Sequence, residues 1–286
     1  MNEVVFLISL AFVWIVFASI QDLRSREVSN WVSFSLIIFA MGFRVFYSLF
    51  SPESGWDFSL FYQGLIGLAI FFALGNLFYH GRIFAGGDAK LMIALGAVLP
   101  LSESLLSNLW LFTLFFIIFL FAGAAYGFLW SFVLAFKNLH GFKKEFSFLL
   151  NQNKKYAYAS LFSGLIFASL GFFASESLFF SLGILVFAMP YLYFYARAVD
   201  ETCMIKEVRS SQLTEGDWLY KDLKLGKGKN KTIKASWEGL SKEDIDEIRK
   251  KYKKRVKIRQ GIPFVPVFLI ALIIFIWSLK NFGISL

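Results

Sequence analysis

Phe84-Ala-Gly-Gly-Asp88-Ala-Lys90-Leu-Met-Ile-Ala-Leu-Gly-Ala-Val-Leu-Pro100 is the stretch on which the topology of this chain turns. Residues 89–99 are apolar but too few to cross a hydrocarbon core of about 30 Å as a straight helix. We read them as a short fourth segment that continues past Pro100 as a kinked or frayed helix. Deleting it would invert every loop downstream, so the distribution of charge tests whether it belongs. On either side lie longer apolar runs at 4–20, 31–50, 59–79, 109–136, 157–175, 178–197 and 264–280. Of the 286 residues 57% are hydrophobic and 37 are Phe, more apolar surface than the interior of a soluble domain of this size can hide.

Lys and Arg accumulate on the cytoplasmic side of a membrane. With the fourth segment retained and the N-terminus outside, the inner segments hold 27 of the 29 basic residues. The outer loops 51–58, 100–108 and 175–177 carry Glu53, Asp57, Glu103 and Glu176 and no Lys or Arg. Arg44, within the second segment, and Lys280, at the outer end of the last, are the exceptions. The net charge of +9 therefore reads as topology rather than nucleic-acid binding. Trp56, Trp110 and Trp277 fall near the outer interface and Trp31 near the inner one, where amphipathic rings prefer to sit. Trp14 and Trp130 read as packing residues. The start Met-Asn-Glu lacks the basic residues of a secretory signal, so the first apolar run is expected to remain a helix.

The expectation is an all-α polytopic membrane protein with about eight hydrophobic segments, one of them short, and a small cytoplasmic subdomain. Residues 1–199 form the transmembrane helical domain, 200–260 the polar subdomain and 261–286 a C-terminal transmembrane helix. Within the subdomain, Asp217–Lys224 and Lys229–Lys234 could pair across the Gly-Lys-Gly-Lys-Asn turn at 226–230. Ser241 reads as an N-cap, with Glu243 and Asp244 in the first turn. The basic loop 137–156 and the basic run to Arg259 mark the inner side and meet anionic headgroups, with substrate binding as the alternative role of the run.

Carboxylates at the edge of apolar segments are costly and therefore candidates for function. Two stand in distinctive surroundings: Asp22, in Gln21-Asp-Leu-Arg-Ser-Arg-Glu-Val-Ser-Asn30, and Asp88 after Gly86-Gly87. The charge-derived topology puts both on the cytoplasmic side. If the first and fourth segments pack side by side, the pair could share a proton and activate a water against a peptide carbonyl. Helix dipoles favour Asp88, at a helix N-terminus, as the charged base and Asp22, near a C-terminus, as the protonated acid. The structural alternatives are an N-cap for Asp88 and an ion pair with Arg24 or Arg26 for Asp22. Asp200 and Glu201 read as boundary charges. Gly86 and Gly87 either let a substrate backbone approach Asp88 or make a tight turn, and the two are compatible. Cys203 stands alone, and His80 and His140 have no second ligand, so neither metal nor cofactor is expected. A transporter with carboxylate ion sites is the competing reading, which inverted repeats would support; none is apparent.

At these residues the sequence resembles the type IV prepilin peptidases, and more narrowly their archaeal preflagellin (prearchaellin) and prepilin relatives. The carrying motifs are Gln21-Asp22-x-Arg24-Ser25-Arg26-Glu27-Val28 with Asn30, and Gly86-Gly87-Asp88-x-Lys90-Leu91. The second is similar to the Gly-x-Gly-Asp signature shared with presenilin-like proteases, with Ala85 at its first glycine. The segments Glu215–Trp218, Gly239–Ser241 and Gly261–Pro266 resemble the C-terminal region of archaeal members. The resemblance implies an aspartic endopeptidase at the cytoplasmic membrane face, with Asp22 and Asp88 catalytic. Its substrates would be preflagellin or pilin-like precursors with a short basic leader before an apolar helix. Gly86, Gly87, Lys90, Glu27 and Pro263 are candidate substrate contacts. Pro263 and Pro266 resemble proline loops that close on substrate, or they simply start a helix. One cysteine cannot build the four-cysteine zinc module of the methylating bacterial enzymes, so peptidase activity without methyl transfer is implied.

Overall fold

In a computed structural model, residues 2–50, 56–225 and 232–281 are described. The chain runs α1 (Asn2–Ser25), α2 (Asn30–Phe50), α3 (Ser59–His80), α4 (Gly86–Gly96), α5 (Leu105–Lys137), α6 (Leu139–Gln152), α7 (Lys154–Ala174) and α8 (Ser177–Cys203). A polar segment follows with strands β1 (Ile205–Val208), β2 (Trp218–Leu219), β3 (Leu223–Lys224) and β4 (Thr232–Ile233), helix α9 (Lys242–Lys251) and strand β5 (Val256–Arg259), before α10 (Pro266–Asn281). Among the described residues six helices are long and apolar enough to cross a membrane: α1, α2, α3, α5, α7 and α8. The short helix α4 and the short apolar helix α10 stand at the positions of the other two expected segments. Large apolar side chains such as Phe72, Phe121, Phe162 and Phe173 are exposed, as a lipid-solvated surface requires. The fold is that of an all-α polytopic membrane protein. Glu53 and the glycine turn at 226–230 lie outside the described residues.

Contacts divide the chain into two units: Met1–Gly127 with Ile262–Leu286, and Phe128–Gly261, the division falling within α5. In the first unit α4 packs on α3 and α2, while α1 packs on α2 and α10. The core is rich in aromatic rings: Phe71, Phe115, Phe119, Phe268 and Phe275 are almost fully buried. Pairs such as Phe71–Phe112 and Phe115–Phe275 meet edge to face, at centroid distances of 5.2 and 5.7 Å.

The expected continuation of α4 past Pro100 does not occur. The helix ends at Gly96, and the N–H groups of Ala97, Val98 and Leu99 close its last turn on the carbonyls of Ala94 and Leu95, at 2.9–3.1 Å, before the chain turns off at Pro100. Pro100 carries no N–H and pushes Leu99 out of the α region, so a helix is disfavoured there. The freed carbonyls find Arg44, the cation that broke the charge pattern. Its guanidinium is wholly buried and donates to the carbonyls of Ala97 (3.0 Å), Val98 (3.2 Å), Pro100 (2.6 Å) and, on α3, Leu60 (2.8 Å). Asn108, also buried, accepts from the N–H groups of Leu101 and Ser102, both at 3.0 Å, and closes the rest of the turn. A backbone that cannot be helical at this depth thus has its polar groups met by side chains.

Against α3, the short helix approaches backbone to backbone. A Cβ added at Gly96 would lie 2.6 Å from the Cβ of Phe71 and against the Gly67 carbonyl, and one at Gly67 would strike the Gly96 carbonyl. Gly96→Val is therefore expected to cost about 2–3 kcal/mol by forcing the helices apart. Thermal unfolding in detergent measures it, and an unchanged midpoint would show that the contact yields.

In the second unit, α7 and α8 form an antiparallel hairpin, and residues 137–156, expected as a loop, are mostly helical. Phe142, Phe146, Leu149 and Leu150, spaced along one face of α6, pack on Phe194 and Ala198 of α8. Lys143 and Lys144 remain exposed. The polar composition of this stretch masks a helical apolar period that only its partner helix makes visible. The polar segment is a small α/β module. Strands β1, β5 and β2 form an antiparallel sheet, and Leu223–Lys224 pair with Thr232–Ile233. The expected hairpin is shorter than read because Trp218 and Leu219 pair with β5 instead. Leu213, Ile233, Ile245, Ile248 and Ile258 make its core. Ser241 caps α9, its Oγ accepting from the Asp244 N–H at 3.2 Å. The boundary charges Asp200 and Glu201 are engaged by Arg259, at 3.3 and 3.7 Å. The Tyr220 hydroxyl donates to Glu201 at 2.7 Å, a bond that raises the phenol pKa above its ordinary value.

Candidate active site

The first motif is a helix stop followed at once by a helix start. The Gln21 side chain accepts from the Ser29 N–H at 3.1 Å, and the Ser25 hydroxyl donates to the Gln21 carbonyl at 2.9 Å. Arg26 takes the left-handed conformation, φ 60°, and its N–H closes on the Asp22 carbonyl at 2.9 Å. The chain can then reverse within a few residues into α2, leaving Asp22 on the last turns of α1. The second motif starts α4. Ala85 is the N-cap, Gly86 and Gly87 the first two helical residues, and Asp88 the third, its carboxylate accepting from the Ala85 N–H at 3.3 Å. Asp88 caps α4 from within the first turn rather than from the N-cap position.

The two motifs lie against each other. Lys90 Nζ donates to the Asn30 side-chain oxygen at 2.7 Å, and the position of a Cβ at Gly87 is 3.5 Å from the Cβ of Val28. A Cβ at Gly87 would thus make ordinary contact with Val28, so packing of the motifs alone does not demand glycine there. At Gly86 the nearest neighbour is the Tyr79 ring at 3.8 Å, which leaves that position more room. Glu27 is exposed and Pro263 buried.

Asp22 and Asp88 are both buried, 6% and 9% exposed, and close enough to interact electrostatically. Helices α1 and α4 are not principal packing partners. The C-terminal segment joins their ends instead. The Val265 N–H, immediately before α10, donates to the Asp22 carboxylate at 2.9 Å. The ring of neighbouring Phe264 lies 6.0 Å from that of Phe84, which precedes Ala85. Backbone amides thus hold both carboxylates, that of Val265 together with Phe264 at Asp22 and that of Ala85 at Asp88, and Phe84 and Phe264 touch. Asp22 also interacts with Arg26 and with Tyr126 of α5. The dipole contrast expected from α1 and α4 alone is offset, because Asp22 faces the start of α10 and a cation. Helix ends alone therefore do not distinguish the two carboxylates.

Sequence reasoning missed Val265, whose contribution is a main-chain N–H that no side-chain pattern reveals. It also passed over Tyr126. The signal there was a phenol inside a long apolar helix, between Gly123 and Gly127, where a polar group needs a reason.

A multi-pass helical membrane protein with two buried, mutually interacting carboxylates at one end of its first unit defines the class. Residues 9–128 match the Type IV leader peptidase family. The chain is 34% identical over 86 residues to a preflagellin peptidase of Methanococcus maripaludis, covering 30% of this chain and 35% of the relative. It is 35% identical over 83 residues to a preflagellin peptidase of Methanocaldococcus jannaschii, covering 29% and 33%. The similarity thus spans about a third of the length of these curated relatives. No solved structure matches the chain.

Proposed function

We propose that the protein is an aspartic endopeptidase that removes the basic leader from preflagellin or pilin-like precursors at the cytoplasmic face of the membrane. The observation that carries this reading is that Asp22 and Asp88 are both buried, each is held by a backbone amide, and Asp22 is near enough to act electrostatically on Asp88. One carboxylate, ionised, takes a proton from a water whose oxygen attacks the scissile carbonyl carbon. The other, protonated, gives its proton to the carbonyl oxygen. Collapse of the tetrahedral intermediate breaks the C–N bond: the leaving nitrogen takes a proton from the carboxyl that accepted one from water, and one hydroxyl of the gem-diol returns its proton to the other carboxylate, which restores the starting pair. No metal and no covalent intermediate are needed, and with a single cysteine the reading includes no methyl transfer.

The substrate class follows from the names of the two relatives and from the setting. A leader–helix junction lies where charge gives way to apolar sequence, and a carboxylate pair at the end of α1 and α4 occupies such a boundary. In this reading 1–199 and 261–286 are the membrane part and 200–260 a cytoplasmic subdomain whose basic residues meet anionic lipid. Gly86, which has room beside it, and Gly87 admit the substrate backbone, while Lys90, Glu27 and Pro263 border its path.

Incubating the detergent-solubilised protein with a pilin-like precursor, a Lys-rich leader joined to an apolar helix, tests the reading. A product shortened at the leader–helix junction is expected. Intact precursor, together with solute flux in proteoliposomes, would move the protein to the transporters.

A further inference from the structure

The first unit contains an apolar pocket of about 170 Å³, walled by Phe78, Phe84, Phe119, Leu120, Ala124 and Phe264, two of which adjoin in sequence the residues whose amides hold the carboxylates. We propose that this pocket is a specificity site that receives the first large apolar side chain on the helix side of the scissile bond. The inference rests on the peptidase reading and deepens it.

Three observations carry it. Two of the walls are bonded directly to the amides that hold the carboxylates: Phe84 precedes Ala85, and Phe264 precedes Val265. A group seated in the pocket is thereby in register with the reacting centre, a residue away from each aspartate's anchor. Size is the second. A cavity of about 150 Å³ lined by aliphatic and aromatic groups accepts one benzene ring, so this pocket suits a single Leu or Phe side chain rather than a whole helix turn. Chemistry is the third. The lining residues named are all apolar, so a Lys or Arg of the leader has no partner there, whereas the mature side of the precursor is an apolar helix. A lipid chain is the alternative occupant, and it predicts indifference to the substrate's side chain.

The experiment compares two precursors with the same Lys-rich leader, carrying Leu or Gly as the first residue of the helix. The wild-type chain is expected to cut the Leu form about 10- to 100-fold better in kcat/KM, the discrimination an apolar pocket supplies. Ala124→Leu, which fills the pocket, should collapse that ratio about tenfold or more. Leu120→Ala, which enlarges it, should shift preference from Leu toward Phe and Trp. Gly123 is avoided because a Cβ there meets the Phe264 ring at 3.1 Å and would disturb the Asp22 anchor directly. Equal cutting of Leu and Gly forms by the wild type overturns the inference and points to lipid in the pocket. So does an Ala124→Leu variant with an unchanged ratio. If Ala124→Leu does not fold, Leu120→Ala decides alone, an unaltered size preference sinking the proposal. Failure of the wild type to cut either precursor counts against the peptidase reading itself, which the Asp22 and Asp88 variants test separately.

Discussion

Asp22→Asn and Asp88→Asn each lower precursor cleavage by about a thousandfold or more, and the double variant is no worse than the poorer single one. The size follows from the roles. Each carboxyl is asked either to take a proton from water or to give one to the carbonyl, and positioned proton transfer contributes about 10²–10⁴-fold per group. A thousandfold loss corresponds to about 4 kcal/mol of transition-state stabilisation. The losses do not add because neither carboxyl works without the other. Asn is the sharp substitution here. It keeps the shape of Asp, and its amide oxygen can still accept from the Val265 or Ala85 N–H. Geometry is preserved while proton exchange is lost. Initial rates of leader removal, measured beside a thermal unfolding curve, separate lost chemistry from lost fold. Near-normal turnover in either single variant would remove that residue from the pair.

Arg44→Met should destabilise the first unit by about 3–5 kcal/mol. Arg44 is fully buried and gives four hydrogen bonds to main-chain carbonyls, three of them just beyond the end of α4. Met fills similar volume but leaves those carbonyls without donors in a medium that has no water to replace them, a cost of about 1–3 kcal/mol for each left unmet. Relaxation of the turn recovers part of this, so the total falls below the sum. Arg44→Lys should recover only a fraction, because a compact ammonium has three donors and lacks the planar fork that spans four oxygens. The consequence reaches the candidate site. Asp88 lies in the first turn of the 11-residue helix, about 12 Å from its end along the axis. A clamp that fixes where α4 ends also fixes how deep Asp88 sits, so cleavage should fall along with stability. Unfolding midpoints in detergent test the first claim, and a Met variant as stable as wild type would show that the turn finds other donors.

Arg44 also marks the limit of what pattern could reveal. Hydropathy and the one-sided placement of Lys and Arg were enough to count the apolar segments and to keep the short fourth one, since both signals are additive along the chain and need no knowledge of packing. Arg44 broke that charge pattern, and the reason lay in carbonyls that become available only because α4 stops at Gly96. Residues 137–156 were read as a loop for a related reason. Their polar average hides the spacing of Phe142, Phe146, Leu149 and Leu150, whose meaning depends on Phe194 and Ala198 across from them. At the candidate site, local sequence singled out Asp22 and Asp88 because a carboxylate at the edge of an apolar run is expensive and a glycine pair beside one is informative. The contribution of the C-terminal segment was out of reach: Val265 acts through its main chain, and a main-chain N–H looks the same in every residue but proline.

By itself, then, the order of residues determined a multi-pass helical protein, a polar module before its last helix, and two acidic residues worth watching, since hydrophobic free energy and desolvation cost are properties of composition along a line. Tertiary structure alone decided that α1 packs on α2 and α10 while α4 packs on α2 and α3, that a buried guanidinium meets the carbonyls beyond α4, and that an amide 243 residues away holds Asp22. Such choices depend on directional hydrogen bonds between distant segments, and direction in space is not written in a hydropathy profile.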